Sequence, residues 1–376
     1  MTHLRFWRLA LTLFIVSLTL SACSFGGNQE LADLGAVFVS TDNGAHFTHQ
    51  PYIPSISGKP SSISNVNVRV LAIDPSDNLR VYLGTYGNGL YYTANVSEGW
   101  QRVKSFPGDV TVNEVVVNPQ NKCELFAIFA NQLLHSADCA RSWKQLYLDA
   151  DAKVTFNTLA IDPRNPANLY LGTSNGDILK SIDSGVSWRV IKRLDKAVAK
   201  IVLLPSDSRQ IFVADINAGF YSFITNSVTN PRNSADINAN FSVQNWSDFR
   251  EVLTELGVDS AFKSLKVGAS DGLVLLATKN IVIKSPDKGV SWQKLDLLPS
   301  EKQDLIEAIA IDPQNSNNIY YGTQFTFARS TDGGVTWSNI KLPTKRAVSE
   351  ILIDYRYPNT LYLGVNSGPG TGLILK

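Results

Sequence analysis

Five aspartates in this 376-residue chain stand where an acid, a base or an activated hydroxyl would be sought. Asp42, Asp183, Asp287 and Asp332 each lie two residues after a serine and five before an aromatic residue: Phe47, Trp188, Trp292 and Trp337. Asp138 keeps the pattern with Trp143 in a degenerate copy, and Trp100 and Trp246 hold the aromatic position of weaker ones. A hydroxyl beside a carboxylate is the raw material of nucleophilic catalysis. Recurrence of one Ser-x-Asp-x-Gly-x-x-Trp pattern points instead to a turn whose side chains bond their own backbone.

Carboxylates outside the pattern include Asp109, Glu114, Asp177 and Asp215. Hydrolysis of a glycosidic bond needs two such groups flanking it, at a separation that only a fold reveals. Metal chemistry finds less. His46 and His49 are three apart in an expected strand and point to opposite faces, while His135 stands alone. There is no Cys/His zinc spacing, no glycine-rich phosphate loop and no arguable Ser-His-Asp set, so no catalytic residue, metal or cofactor is assigned.

The elements that hold these residues follow from a second ladder. Apolar runs end at Ile73-Asp74-Pro75, Val117-Asn118-Pro119, Ile161-Asp162-Pro163, Leu203-Leu204-Pro205, Val267-Gly268-Ala269, Ile311-Asp312-Pro313 and Ile353-Asp354-Tyr355, with middle residues 44, 44, 42, 64, 44 and 42 apart. The polar stretch Asn226 to Asn240, a surface-loop insertion near 225–245, supplies most of the excess in the long interval. Each unit reads as four strands: Thr158 to Ile161, Leu169 to Gly172, a two-residue Asn175-Gly176 hairpin, Ile178 to Lys180, then the Asp motif and a fourth strand. Repeats of this length build a β-propeller, an all-β ring of four-stranded antiparallel blades. Seven blades are expected, with eight as the alternative.

The next motif after Trp337 would fall beyond Lys376, whereas the copy ending in Phe47 precedes the first full unit. The two ends must therefore share a blade. Ile351 to Asp354 and Leu361 to Gly364 supply its inner strands and the segment ending in Phe47 its outermost one. Gly372 to Lys376 and Ala36 to Ser40 both fit the third. The motif tryptophans are expected in the seams between blades.

These boxes, with the run from Ala160 to Thr173, resemble the Asp-box (BNR-type) propellers: sortilin-like domains, photosystem II assembly factors and xyloglucanase-like glycoside hydrolases. The resemblance covers residues 35–376 and implies the propeller fold. It leaves function open between a non-catalytic binding scaffold and a secreted glycoside hydrolase, because the shared residues build blades. The sialidase branch of such propellers needs an arginine triad and a Phe-Arg-Ile-Pro type signature, and the latter is absent. The xyloglucanase-like enzymes pair two propellers around a cleft, and this chain has one.

Arg5 and Arg8 precede an apolar run from Leu9 to Leu20 that is too short to span a bilayer comfortably, and Leu20-Ser21-Ala22-Cys23 resembles a bacterial lipobox. The expectation is a signal peptide over 1–22, lipidation of Cys23, a tether over 23–34 and a place in the bacterial cell envelope, outside the cytoplasm. Cys123 and Cys139 lie eight residues either side of Asn131, the expected turn of one hairpin, so export makes a disulfide between them plausible.

Lys and Arg total 34 against 33 Asp and Glu, a net charge of +1 that argues against nucleic acid. Lys192, Arg193 and Lys196 follow the third blade with Lys200, and Lys341, Lys345 and Arg346 follow the sixth, a candidate basic rim for an acidic partner. One helix is expected over Ser247 to Gly257, capped by Ser247 or Asp248, with Phe249, Val252, Leu253 and Leu256 on its packed face. The favoured reading is a monomeric scaffold for a protein or peptide, without cofactor.

Overall fold

The computed structural model describes residues 31–55, 58, 61–226, 238–258, 261–269, 271–298 and 304–367. The expectations for the leader, Cys23, most of the tether, the centre of the insertion and Gly372 to Lys376 lie outside the described residues. Every described strand belongs to the unit that begins at Asp33.

Seven four-stranded antiparallel sheets form a ring. Their first strands are Val68–Asp74, Glu114–Asn118, Phe156–Ile161, Val198–Leu204, Phe262–Val267, Ala308–Ile311 and Ala347–Ile353. Each touches the first strand of the next blade, and that of blade seven touches that of blade one, so these strands surround the axis. Blade three shows the pattern: Phe156–Ile161, Leu169–Thr173, Asp177–Ser181 and Arg189–Arg193 in spatial order.

The ring closes by joining the two ends of the unit. Blade seven takes Ala347–Ile353 and Leu361–Asn366 from the end of the chain, then Ala36–Ser40 and Thr48–His49 from its beginning. Ala36 pairs with Val365 and Ser40 with Leu361, which assigns the third strand to Ala36–Ser40. The outermost strand begins just after Phe47. Closure hydrogen-bonds edges that an open ring would expose.

Seven apolar clusters fill the seven seams, each with one motif aromatic packed in it or against it: Trp100, Trp143, Trp188, Trp246, Trp292, Trp337 and Phe47. Trp100 is fully buried and donates from Nε1 to Gln50 O at 2.9 Å. The other six are half-buried, plugging the outer ends of their seams. Second-strand glycines set the inner spacing. At Gly364 a Cβ would lie 2.5 Å from Val68 Cγ1 of the next blade, so only a residue without a side chain lets these sheets approach so closely.

Three local expectations differ from the structure. The hairpin at Asn175-Gly176 is longer than two residues: Gly172 pairs with Ile178, and Thr173 Oγ1 accepts from Asp177 N at 2.9 Å, so a threonine hydroxyl closes the loop. Thr85 does the same for Asn88 N at 2.9 Å. The helix is confined to Arg250–Glu255 because Ser247 and Asp248 are still in the fourth strand of blade four, Val243–Asp248. Phe249 occupies the cap position, Leu253 is buried between blades four and five, and Val252 is exposed. Finally, Leu125 pairs with Ser136, so the residue opposite Cys123 in that register is Asp138 and Cys139 falls one further, inside the turn.

Candidate functional site: the central channel

The first strand carries a register shift at one place in five blades: between Val68 and Val70, Phe156 and Thr158, Val198 and Lys200, Phe262 and Ser264, and Val348 and Glu350. A bulge turns its extra residue away from the ordinary alternation. The five residues so placed, Arg69, Asn157, Ala199, Lys263 and Ser349, all line one cavity of about 420 Å³ on the ring axis. Tyr86, Ile216 and Phe262 add apolar surface to it, and Glu307 and Asn366 complete the polar side.

Below it, an adjoining cavity of about 100 Å³ is lined by Glu114, Lys200, Lys266 and Glu350. Three ion pairs cross between blades here: Lys200 Nζ to Glu114 Oε2 at 2.5 Å, Lys263 Nζ to Glu307 Oε2 at 2.5 Å and Lys266 Nζ to Glu350 Oε1 at 2.7 Å. Each lysine sits close to a carboxylate of another blade. Arg69 has no carboxylate partner among the described residues. Its Nη1 donates to Tyr86 Oη at 3.1 Å, and the guanidinium lies over the Tyr86 ring, 5.4 Å from its centre.

The acids considered for hydrolysis do not converge. Asp109 is exposed, and Asp177 binds the Arg193 guanidinium. Asp215 is buried, accepting from Asn217 N, Gly219 N and the Tyr221 hydroxyl of its own hairpin. Glu114 alone of the four reaches the channel, held by Lys200.

The motif aspartates are occupied by their own turns. Asp183 Oδ1 accepts from Ser181 Oγ at 2.7 Å and Ser187 N at 2.9 Å, Ser181 Oγ accepts from Gly185 N at 2.8 Å, and Trp188 Nε1 donates to Gly185 O at 2.9 Å. Asp42, Asp138, Asp287 and Asp332 repeat the serine bond in their own copies. The Thr336 hydroxyl, then Thr336 N–H and the Ser330 hydroxyl, hold Asp332 at about 2, and Ser142 does the same for Asp138. Such groups are anions at neutral pH and have no proton to donate.

The basic rim is not continuous. Lys196, Lys341 and Lys345 are exposed, and Lys192 Nζ stands 4.4 Å from the centre of the Trp246 ring. Arg193 is neutralised by Asp177, and Lys200 faces the channel. Arg346 is buried at 6% exposure, bound to Asp33 Oδ1, Asn67 Oδ1 and the carbonyls of Asn65 and Val66. A hydrogen-bonded, buried guanidinium cannot meet a partner, so Arg346, expected in the basic rim, does not belong to it.

Cys123 and Cys139 are joined by a disulfide that ties the end of a strand to the motif turn of blade two. In that turn Cys139 and Ala140 both have positive φ, 61° and 67°, where the other copies place glycine second, as at Gly185 and Gly289. Among the described residues no group of three His, Cys, Asp or Glu could hold a metal ion.

Arg69, Lys263, Lys266, Glu307 and Glu350 were not singled out from the sequence. The signal was present as position: Arg69, Asn113, Asn157, Lys263, Glu307 and Ser349 each stand five residues before the ladder residues Asp74, Asn118, Asp162, Gly268, Asp312 and Asp354.

No protein-family model matches this chain. A xyloglucanase from Acetivibrio thermocellus is 25% identical over 317 residues, which is 83% of this chain and 30% of that protein. The chain thus spans under a third of the length of the curated relative it matches. Among solved structures, the GH74 xyloglucanase from Xanthomonas campestris aligns with a TM-score of 0.62 at 16% identity, over 81% of this chain and 51% of that one. A structure described as YCF48 bound to D1 peptide aligns with a TM-score of 0.58 at 16% identity, over 90% of this chain and 100% of that one. At such identities these likenesses establish the seven-bladed fold alone.

Proposed function

We propose that this chain is a non-catalytic binding scaffold, an extracytoplasmic propeller held to a bacterial membrane through lipid on Cys23, whose channel mouth and surrounding hairpins grip a segment of another protein. The observation that carries the reading is the occupancy of the channel carboxylates. Glu114, Glu307 and Glu350 each face a lysine within 2.7 Å, so among the described residues no channel carboxylate stands unpaired. A propeller neighbour described as bound to a peptide supports the same reading. The anchor rests on the Leu20-Ser21-Ala22-Cys23 sequence.

Site-specific photocrosslinking tests this reading. A photoreactive residue at Ile216, exposed at the channel mouth, should capture a defined protein in native membranes. The same group at Leu148, exposed on an outer strand, should not. Equal labelling from both positions would refute the scaffold reading.

The 25% identical xyloglucanase supports a second reading, hydrolysis of a polysaccharide. Release of reducing ends from xyloglucan, lost in Glu114→Gln, would replace the scaffold by an enzyme. No release above buffer would remove that alternative for this substrate.

A further inference from the structure

We propose that the channel mouth is a carboxylate subsite, in which Arg69 receives the terminal carboxylate of an extended peptide segment. This deepens the scaffold reading and rests on it.

The argument begins with charge. Four cations, Arg69, Lys200, Lys263 and Lys266, and three carboxylates, Glu114, Glu307 and Glu350, line the two joined cavities. Each carboxylate is paired with a lysine. One positive charge is left over, on the one guanidinium. Concave, partly desolvated surroundings strengthen its attraction for an anion relative to open water. A monoanion balances the site, whereas a dianion would leave it negatively charged.

Geometry favours the same ligand. The bond to Tyr86 Oη and the stacking on its ring fix the orientation of the Arg69 guanidinium and use one of its five N–H groups. The remaining fork matches the two oxygens of a carboxylate. Ser349 lines the same cavity, but its Oγ is shielded from solvent, so the Arg69 fork supplies the charged donors of the site.

Size and rim select a chain end over a folded surface. A cavity of about 420 Å³ accepts a few residues of extended peptide and excludes a domain. Tyr86, Ile216 and Phe262 offer apolar contacts to side chains preceding the carboxylate. The bulge at Arg69 brings this residue to the cavity, as the same bulge does for the extra residue in four other blades, a placement that regular alternation would not give.

The experiment is a ligand-observed NMR titration of the full chain in detergent with N-acetyl-alanyl-alanine and with its primary amide. The free acid should bind and the amide should bind at least about ten-fold more weakly, the loss expected when a charge-assisted hydrogen-bond pair is removed. Arg69→Gln should abolish the difference, and Lys196→Gln, an exposed cation elsewhere, should not. If Arg69→Gln fails to fold, Arg69→Lys, which keeps the charge and loses the fork, should weaken binding, as should Tyr86→Phe.

Equal binding of acid and amide, no binding of either, or an unchanged affinity in Arg69→Gln would overturn the proposal. So would tighter binding of inorganic phosphate or phosphatidylglycerol vesicles than of the acid, since each assigns the site to another anion. Crosslinking from Ile216 that persists in Arg69→Gln would leave the scaffold standing while this subsite falls.

Discussion

Arg346 donates from Nε to Asp33 Oδ1 at 2.7 Å, joining residues 313 positions apart. The same guanidinium reaches Asn67 Oδ1 at 3.0 Å, in the segment leading into blade one. Next to it, Thr344 and Leu34 exchange hydrogen bonds at 2.7 and 3.2 Å. The chain's start is thus clasped to blades seven and one before it enters the sheet at Ala36.

Arg346→Met should cost about 2–4 kcal/mol, since it strands several buried acceptors. Asp33→Asn should cost less than about 1 kcal/mol, because Asp33 is largely exposed. Denaturant unfolding of both variants decides it; equal losses would show that the clasp works only through its ion pair.

Blade two should respond to glycine in the opposite sense from its neighbours. Ala140 holds a left-handed conformation that costs an alanine about 1–2 kcal/mol, so Ala140→Gly should stabilise by roughly that order. Gly185→Ala should destabilise, as φ there is 88° and Leu146 lies 3.0 Å from the added carbon. Removing the disulfide, which spans 16 residues, should cost about 3 kcal/mol in the original background and less when combined with Ala140→Gly, if the bond holds the strained turn. Thermal melts of the single and combined variants would measure this coupling, and strict additivity would contradict it.

Lys180 makes stability depend on alkaline pH. It is fully buried, and burial lowers its pKa from the usual 10.5 to about 8 despite the nearby Asp162. Between these values the unfolded chain binds more protons than the folded one, so stability contributed at this site rises from about pH 8 to 10.5. Below pH 8 the charged group carries its full burial penalty. Lys180→Met should remove that upward slope, on the order of 1–3 kcal/mol. It should also loosen the roots of the insertion, since Nζ donates to Asn226 O at 3.0 Å and Asn240 O at 2.6 Å. Urea unfolding of both proteins at pH 7.5, 9 and 10 tests the sign.

The motif tryptophans should not be equivalent. Trp100→Ala leaves a void in a closed seam and should cost about 3–5 kcal/mol, whereas Trp292→Ala, half-exposed, should cost about 1–3 kcal/mol. A reversed order in chemical denaturation would mean that the outer plugs, not the buried ring, hold the blades together.

Fold and site differ in how far they can be read from the chain. The repeat is local and redundant: serine, aspartate, glycine and tryptophan at fixed offsets, and apolar runs 42 to 44 residues apart, encode blades and seams directly. Loop detail escaped because Asn175-Gly176 suits a short turn, while the Thr173 hydroxyl stabilises a longer one. The channel escaped for a different reason. Lys200 and Glu114 are 86 positions apart and Lys266 and Glu350 are 84, so only the circular arrangement makes them neighbours. Arg346 looked like one more surface cation, because its sequence neighbourhood hides the acceptors brought by Asn65, Val66 and Asn67.

The pairing of Ala36–Ser40 with Leu361–Asn366 also governs the order in which the ring can close. Ala36–Ser40 must wait, unmated, until Leu361–Asn366 are available, and their meeting is a slow, long-range encounter. Meanwhile Leu361–Asn366 of one copy is as good a mate for Ala36–Ser40 of another as for its own. At high expression, strand exchange between nascent molecules is the foreseeable misassembly.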